Sequence, residues 1–69
     1  MQRTKETQYG VITATHVFNS IYLTLNGNTV EGLDTFPYVS EYPTIEKAMD
    51  SAIWQFEVEL VYKSWKGDL

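Results

Sequence analysis

The C-terminal third of the chain turns on SAIWQFEVELVYKSWKG, Ser51 to Gly67. From Trp54 to Tyr62 every even position is apolar: Trp54, Phe56, Val58, Leu60, Tyr62. Gln55, Glu57 and Glu59 lie between them, and only Val61 interrupts the alternation. Read in line, that is the period of a half-buried strand. No Gly, Pro or Asn occurs from Thr44 through Lys66, so nothing in the segment breaks a helix either. On a helical wheel Ile45, Met49, Ala52, Ile53, Phe56 and Leu60 fall within about a third of the circle, a normal core stripe. Trp54, Val58, Val61 and Trp65 then align on the opposite side at i, i+4, i+7, i+11. Two opposed helical stripes, read in line, reproduce the even-position pattern.

The ends of the segment favour the helix. Thr44 follows Pro43 and suits an N-cap, and Glu46 suits the first turn. Glu59 and Lys63 are spaced and ordered as a helical ion pair. Lys63 and Lys66 complement the C-terminal dipole, and Gly67 fits the C′ position. The preferred reading is one helix over 45–66. A second version stays open, with a helix over 45–54 and a strand over 57–63.

Upstream, QYGVITATHVF (residues 8–18) is rich in the Val, Ile, Thr and aromatic residues that favour strands. SIYLTLNGNTVEG (residues 20–32) holds the clearest local signal, because Asn26-Gly27 is the preferred pair for a two-residue type I′ hairpin. In that register Leu25 faces Asn28, Leu23 faces Val30 and Ile21 faces Gly32. Ile21, Leu23, Leu25 and Val30 then share one face, while Tyr22, Thr24, Thr29 and Glu31 share the other. A short edge strand over 37–40 is compatible with Pro37, since Pro is tolerated at an edge. Met1 to Thr7 is polar and reads as a flexible end. The expected fold is α+β: a single domain over 1–69, with a three- to four-stranded antiparallel β-meander and one long C-terminal α-helix packed across it.

Sixty-nine residues without cysteine form a small core with neither disulfide nor thiolate metal site. A chain of this size buries only about 60% of its unfolded surface. Dense aromatic packing and oligomerisation are the two remedies left to it. The charge is acidic, at −4 overall. Between residues 7 and 62 the acids are Glu31, Asp34, Glu41, Glu46, Asp50, Glu57 and Glu59, against Lys47 as the one base. Phosphate-backbone binding needs clustered Lys and Arg, so direct nucleic-acid binding is not expected. No apolar run approaches a membrane span, and the polar N-terminus does not read as a signal peptide. The expectation is a cytoplasmic protein with no membrane partner.

No catalytic, metal or cofactor constellation is legible. His16 is the only imidazole and sits in a strand pattern, where a hydrogen-bonded sheet-face residue is the plain reading. The serines lack a nucleophile elbow or a lysine partner, and no phosphate-binding glycine motif is present. Glu57 and Glu59 point apart on a helix and read as solvated. The expected chemistry is therefore none: no enzyme, no cofactor, no metal.

TIEKAMDSAIWQF, Thr44 to Phe56, resembles the helix of the small T7-type phage inhibitors of bacterial RNA polymerase. The shared pattern is carried by Thr44, Ala48, Ala52, Trp54, Gln55 and Phe56, within a stretch that covers 13 of the 69 residues. The resemblance implies a helix lying across a small antiparallel sheet, and a phage-encoded protein that acts by binding in the host cytoplasm. That family's glycine-containing turn after the helix is missing here, so the resemblance does not carry its last strand over, and none of its partner-binding residues can be carried over.

The second stripe carries the functional expectation. Trp54, Val58, Val61 and Trp65, flanked by Asp50 and Glu57, are the candidate partner-binding residues. Either the segment 36–42 folds over them, or they form an intermolecular surface. In the second case the chain is a protein-binding module, expected to be a homodimer or other homo-oligomer, or an inhibitor of a host enzyme or defence system. The acids beside an aromatic stripe then favour a basic partner surface, such as the nucleic-acid-binding site of an enzyme. The alternative function is a small-ligand or nucleotide-binding homo-oligomer with a pocket at the subunit interface, formed from Tyr38, Tyr42 and the helix aromatics. A structural subunit of a larger assembly is a third reading.

Overall fold

A computed structural model describes residues 1–36 and 39–67. Four antiparallel strands form an open sheet in the order β1-β2-β3-β4, and one long helix follows. The strands are β1 (Gln2–Thr7), β2 (Gly10–Val17), β3 (Ser20–Leu25) and β4 (Thr35–Phe36). A 3-10 turn at Val39–Glu41 leads to α1 (Ile45–Lys66). The expected α+β architecture is the observed one.

The opening stretch is helical throughout. Thr44 caps α1 with its hydroxyl, which accepts from the Lys47 amide at 3.1 Å. Gly67 closes the other end with a left-handed φ of 79°, and its amide donates to the Lys63 and Ser64 carbonyls. A residue with a Cβ pays strain in that conformation, so glycine defines the stop.

The core lies between one sheet face and one helix face. Ile12 and Ala14 of β2, Ile21 and Leu23 of β3, and Phe36 of β4 are buried against Ala48, Met49, Ala52, Ile53, Phe56 and Leu60 of α1, with Val39 beside them. The small Ala48 and Ala52 allow the helix to sit close over β2 and β3. The other sheet face presents Thr4, Thr13, Thr15, Tyr22, Thr24 and Thr35, which alternate with the core residues along the paired strands.

The sheet differs from expectation at both edges. The polar N-terminus, read as a flexible end, is strand β1, with Arg3 paired to Ala14 and Lys5 to Ile12. Its inward positions are charged because they lie at the margin of the core, under the flank of α1 rather than its centre. Arg3 pairs with Asp50 there, and Lys5 Nζ donates to Glu57 Oε1 at 2.7 Å. A search for apolar alternation cannot find such a strand.

The hairpin forms where Asn26-Gly27 predicts it, with φ of 52° and 82° and a bridge from Leu25 to Asn28. Pairing then stops. The chain makes a second turn, in which the Leu33 amide donates to the Val30 carbonyl at 3.0 Å. Gly32 takes a φ of 82° there. The Leu23 amide meets the Asp34 carbonyl at 2.9 Å, and Ile21 pairs with Phe36 instead of Gly32. Phe36 supplies the large apolar side chain that Gly32 lacks, while Val30 and Leu33 tuck half-buried against the core. Of the edge strand expected over 37–40, Val39 and Ser40 belong instead to the 3-10 turn Val39–Glu41, and Pro37 and Tyr38 lie outside the described residues.

Candidate functional site: the outer face of the helix

Each apolar face of α1 has a different fate. The inner one is sealed against the sheet. The outer one is uncovered: Trp54 is 64% exposed, Trp65 82%, Val58 44% and Tyr62 53%. Val61, between them, is half-buried. At 100° per residue Trp54, Val58, Val61 and Trp65 lie within about 60° of one another, directly opposite Phe56 and Met49. Among the described residues no segment folds over this stripe. Val39 is buried in the core, and the Tyr42 ring packs 5.9 Å from that of Phe36.

The size of the patch can be bounded. At about 150–250 Å² per aromatic side chain, the two tryptophans, Tyr62 and Val58 expose on the order of 500 Å² of continuous surface. That is at the upper end of the about 300–600 Å² that a monomer's largest apolar patch usually reaches, and such patches are often functional.

The flanking acids behave differently from expectation. Asp50 and Glu57 do lie beside the stripe, on the side facing β1, but neither is a free charge. Arg3 Nη1 bonds to Asp50 and also donates to the Glu46 carbonyl at 3.3 Å. Lys5 holds Glu57. The sequence signal for this was the alternation of Arg3 and Lys5 in an otherwise featureless segment, two basic positions on one face of a strand. On the opposite flank Ser51, Gln55 and Tyr62 carry no charge, although Lys66 lies 5.2 Å over the Tyr62 ring. The borders of the stripe are therefore close to neutral. Among the described residues the unpaired exposed acids are Glu6 on β1, Glu31 and Asp34 in the β3–β4 loop, Glu41 in the 3-10 turn, and Glu46 and Glu59 on the helix.

Two grooves run beside α1. One, of about 370 Å³, is lined by Arg3, Thr4, Lys5, Asp50, Ile53 and Trp54. The other, of about 330 Å³, lies between the β3–β4 loop and the helix and includes Leu33, Phe36, Phe56 and Glu59. Tyr42, half-buried, lines neither, and Tyr38 lies outside the described residues. His16 is on the core face beside Ile21, and its buried Nε2 has no hydrogen-bond partner, contrary to the expected one. Among the described residues no group of three His, Cys, Asp or Glu side chains gathers where a metal could bind, and no helix is long and apolar enough to cross a membrane.

Two further features escaped the sequence reading, the exposure of Phe18 and a second role of Asn26. Phe18, at the tip of the β2–β3 hairpin, is 90% exposed with a positive φ of 54°. Asn26 does more than turn the chain. Its Oδ1 accepts from the Val11 amide at 2.9 Å, and its own amide donates to the Val11 carbonyl at 2.8 Å.

Comparison of the chain with protein-family models, with curated proteins and with solved structures gave no match to any of them.

Proposed function

We propose that the protein is a non-enzymatic protein-binding module whose working surface is the outer face of α1. The observation behind this reading is the exposed run of Trp54, Val58 and Trp65 on the side of the helix that its own sheet does not need. Tryptophan in such a position is costly to leave wet and is the residue type most enriched among interface hot spots. A helix that only had to cap this sheet would carry Lys, Glu or Gln there.

The likeness of Thr44–Phe56 to the phage polymerase inhibitors, with the acidity of the chain, supports a narrower form of the proposal: a phage-encoded inhibitor of a host enzyme or defence system. In that form a basic target would meet Glu31, Asp34, Glu41 and Glu59, since Asp50 and Glu57 are neutralised within the chain.

The test compares truncations on the two faces of one helix. Phe56→Ala should cost about 3–5 kcal/mol of stability as a core deletion. Trp54→Ala and Trp65→Ala should leave the unfolding midpoint within about 0.5 kcal/mol of wild type, yet remove proteins that immobilised wild type retains from a bacterial lysate. Outer-face variants that unfold like Phe56→Ala, or that retain the same proteins as wild type, would refute the proposal.

A further inference from the structure

Resting on the reading of α1's outer face as a binding surface, we infer that the face is built to pair with a second copy of itself, antiparallel, about a two-fold axis between Val58 and Val61. The stripe is Trp-x3-Val-x2-Val-x3-Trp, which reads the same in both chain directions. A two-fold axis perpendicular to the helix at its midpoint sets Trp54 at the height of Trp65 of the second copy, and Val58 at that of Val61. The four valines gather at the centre, where small side chains let two helices approach to about 8–10 Å. A tryptophan pair closes each end, about 16 Å apart along the helix.

The borders of the stripe suit the same arrangement. This symmetry brings each flank of the helix against the same flank of its copy. One flank, with Ser51, Gln55 and Tyr62, carries a single charge near its end, Lys66 over the Tyr62 ring, and the two-fold sets the two Lys66 side chains at opposite ends of the pair. The other holds Asp50 and Glu57, which would repel their equivalents if they were bare. Arg3 and Lys5 of the same chain cancel them. The surface is thus compatible with itself, whereas a strongly basic partner would find the two carboxylates nearest the stripe, Asp50 and Glu57, already paired. Antiparallel pairing also places opposite helix-dipole ends together, where a parallel pair would align like ends.

The area fits a dimer of modest affinity. Two copies contribute about 1,000 Å² together, at the threshold of a specific interface. A dissociation constant on the order of 10 µM is expected, because little surplus remains after the entropic cost of association. The acidic β3–β4 loop stays on the outside of such a dimer.

The experiment measures mass, fold and orientation on the intact chain. Sedimentation equilibrium from about 1 to 300 µM should show the 8.0 kDa chain passing to twice that mass, as the expected affinity requires. Val61→Glu, which sets a carboxylate among the central valines, should stay helical, melt cooperatively and weaken the dimer more than about 100-fold. For orientation, Lys47→Cys, the sole cysteine in its chain, carries a nitroxide. The antiparallel pair puts the two labels about 38 Å apart, twenty-five residues of helix rise; a parallel pair brings them within about 20 Å, two helix diameters. Labels that close would overturn the arrangement, and so would a dimer that survives Val61→Glu. A wild-type chain that stays monomeric across the range, with Val61→Glu folded, overturns the second copy as occupant while leaving the outer face available to another protein. If Val61→Glu unfolds the monomer, the face belongs to the core, and the binding reading fails with it.

Discussion

Gly27 in the hairpin turn and Gly10 at the start of β2 both have positive φ, but an alanine would meet different surroundings at the two positions. Gly27 has a φ of 82° with open space around the position of a Cβ. Gly27→Ala should therefore cost only backbone strain, about 1 kcal/mol. Gly10 has a φ of 130°, and a Cβ there would stand 2.7 Å or less from three side-chain atoms of Asn26. That side chain must move, and it is the acceptor for the Val11 amide. Losing a hydrogen bond at this half-solvated site adds about 1 kcal/mol to the strain, for a total of about 2–3 kcal/mol. In a domain this small the difference between the two variants is about 5–10 °C in melting temperature, readable by circular dichroism. Asn26→Gly should cost less in the Gly10→Ala background than in wild type, because the clash and the bond are already gone. Equal costs for the two alanine variants, or additive costs in the double variant, would refute the role given to Asn26.

Phe18→Gly should raise stability by about 0.5–1 kcal/mol, since an exposed aromatic side chain at positive φ is strained and buries nothing; thermal melts decide it, and a loss of stability would mean that the ring is engaged. Lys5→Glu should destabilise by about 1 kcal/mol at low salt and by less at high salt, as two carboxylates meet on a partly exposed flank. The swap Lys5→Glu with Glu57→Lys should recover much of that loss in a double-mutant cycle, and no recovery would remove the pair from the account.

What the sequence disclosed follows from the range of the forces involved. α1 was legible because its signals are local: a Thr cap, a Gly stop and no breaker between them. The Asn26-Gly27 turn was legible for the same reason. The outer stripe was visible as periodicity, but whether anything covered it depended on the path of residues 29–42, which tertiary packing sets. Strand β1 was hidden because its inward positions are satisfied by charges rather than by apolar burial, and their partners Asp50 and Glu57 lie 47 and 52 residues away. The pairing of Ile21 with Phe36 rather than with Gly32 reflects competition for the space beside Ile21, which a large apolar side chain wins.

The chain has two tryptophans, and both lie on the outer stripe, so fluorescence excited at the red edge, where tyrosine does not absorb, reports on that face alone. The most direct measurement is the emission maximum and acrylamide quenching of the wild-type protein across a dilution series. Free chains at high dilution should emit as water-exposed tryptophan and be quenched freely, and both properties should shift towards burial as concentration rises through the dimer range. Emission that is already blue and protected at the lowest concentration would place the stripe inside the monomer and contradict the account at its centre.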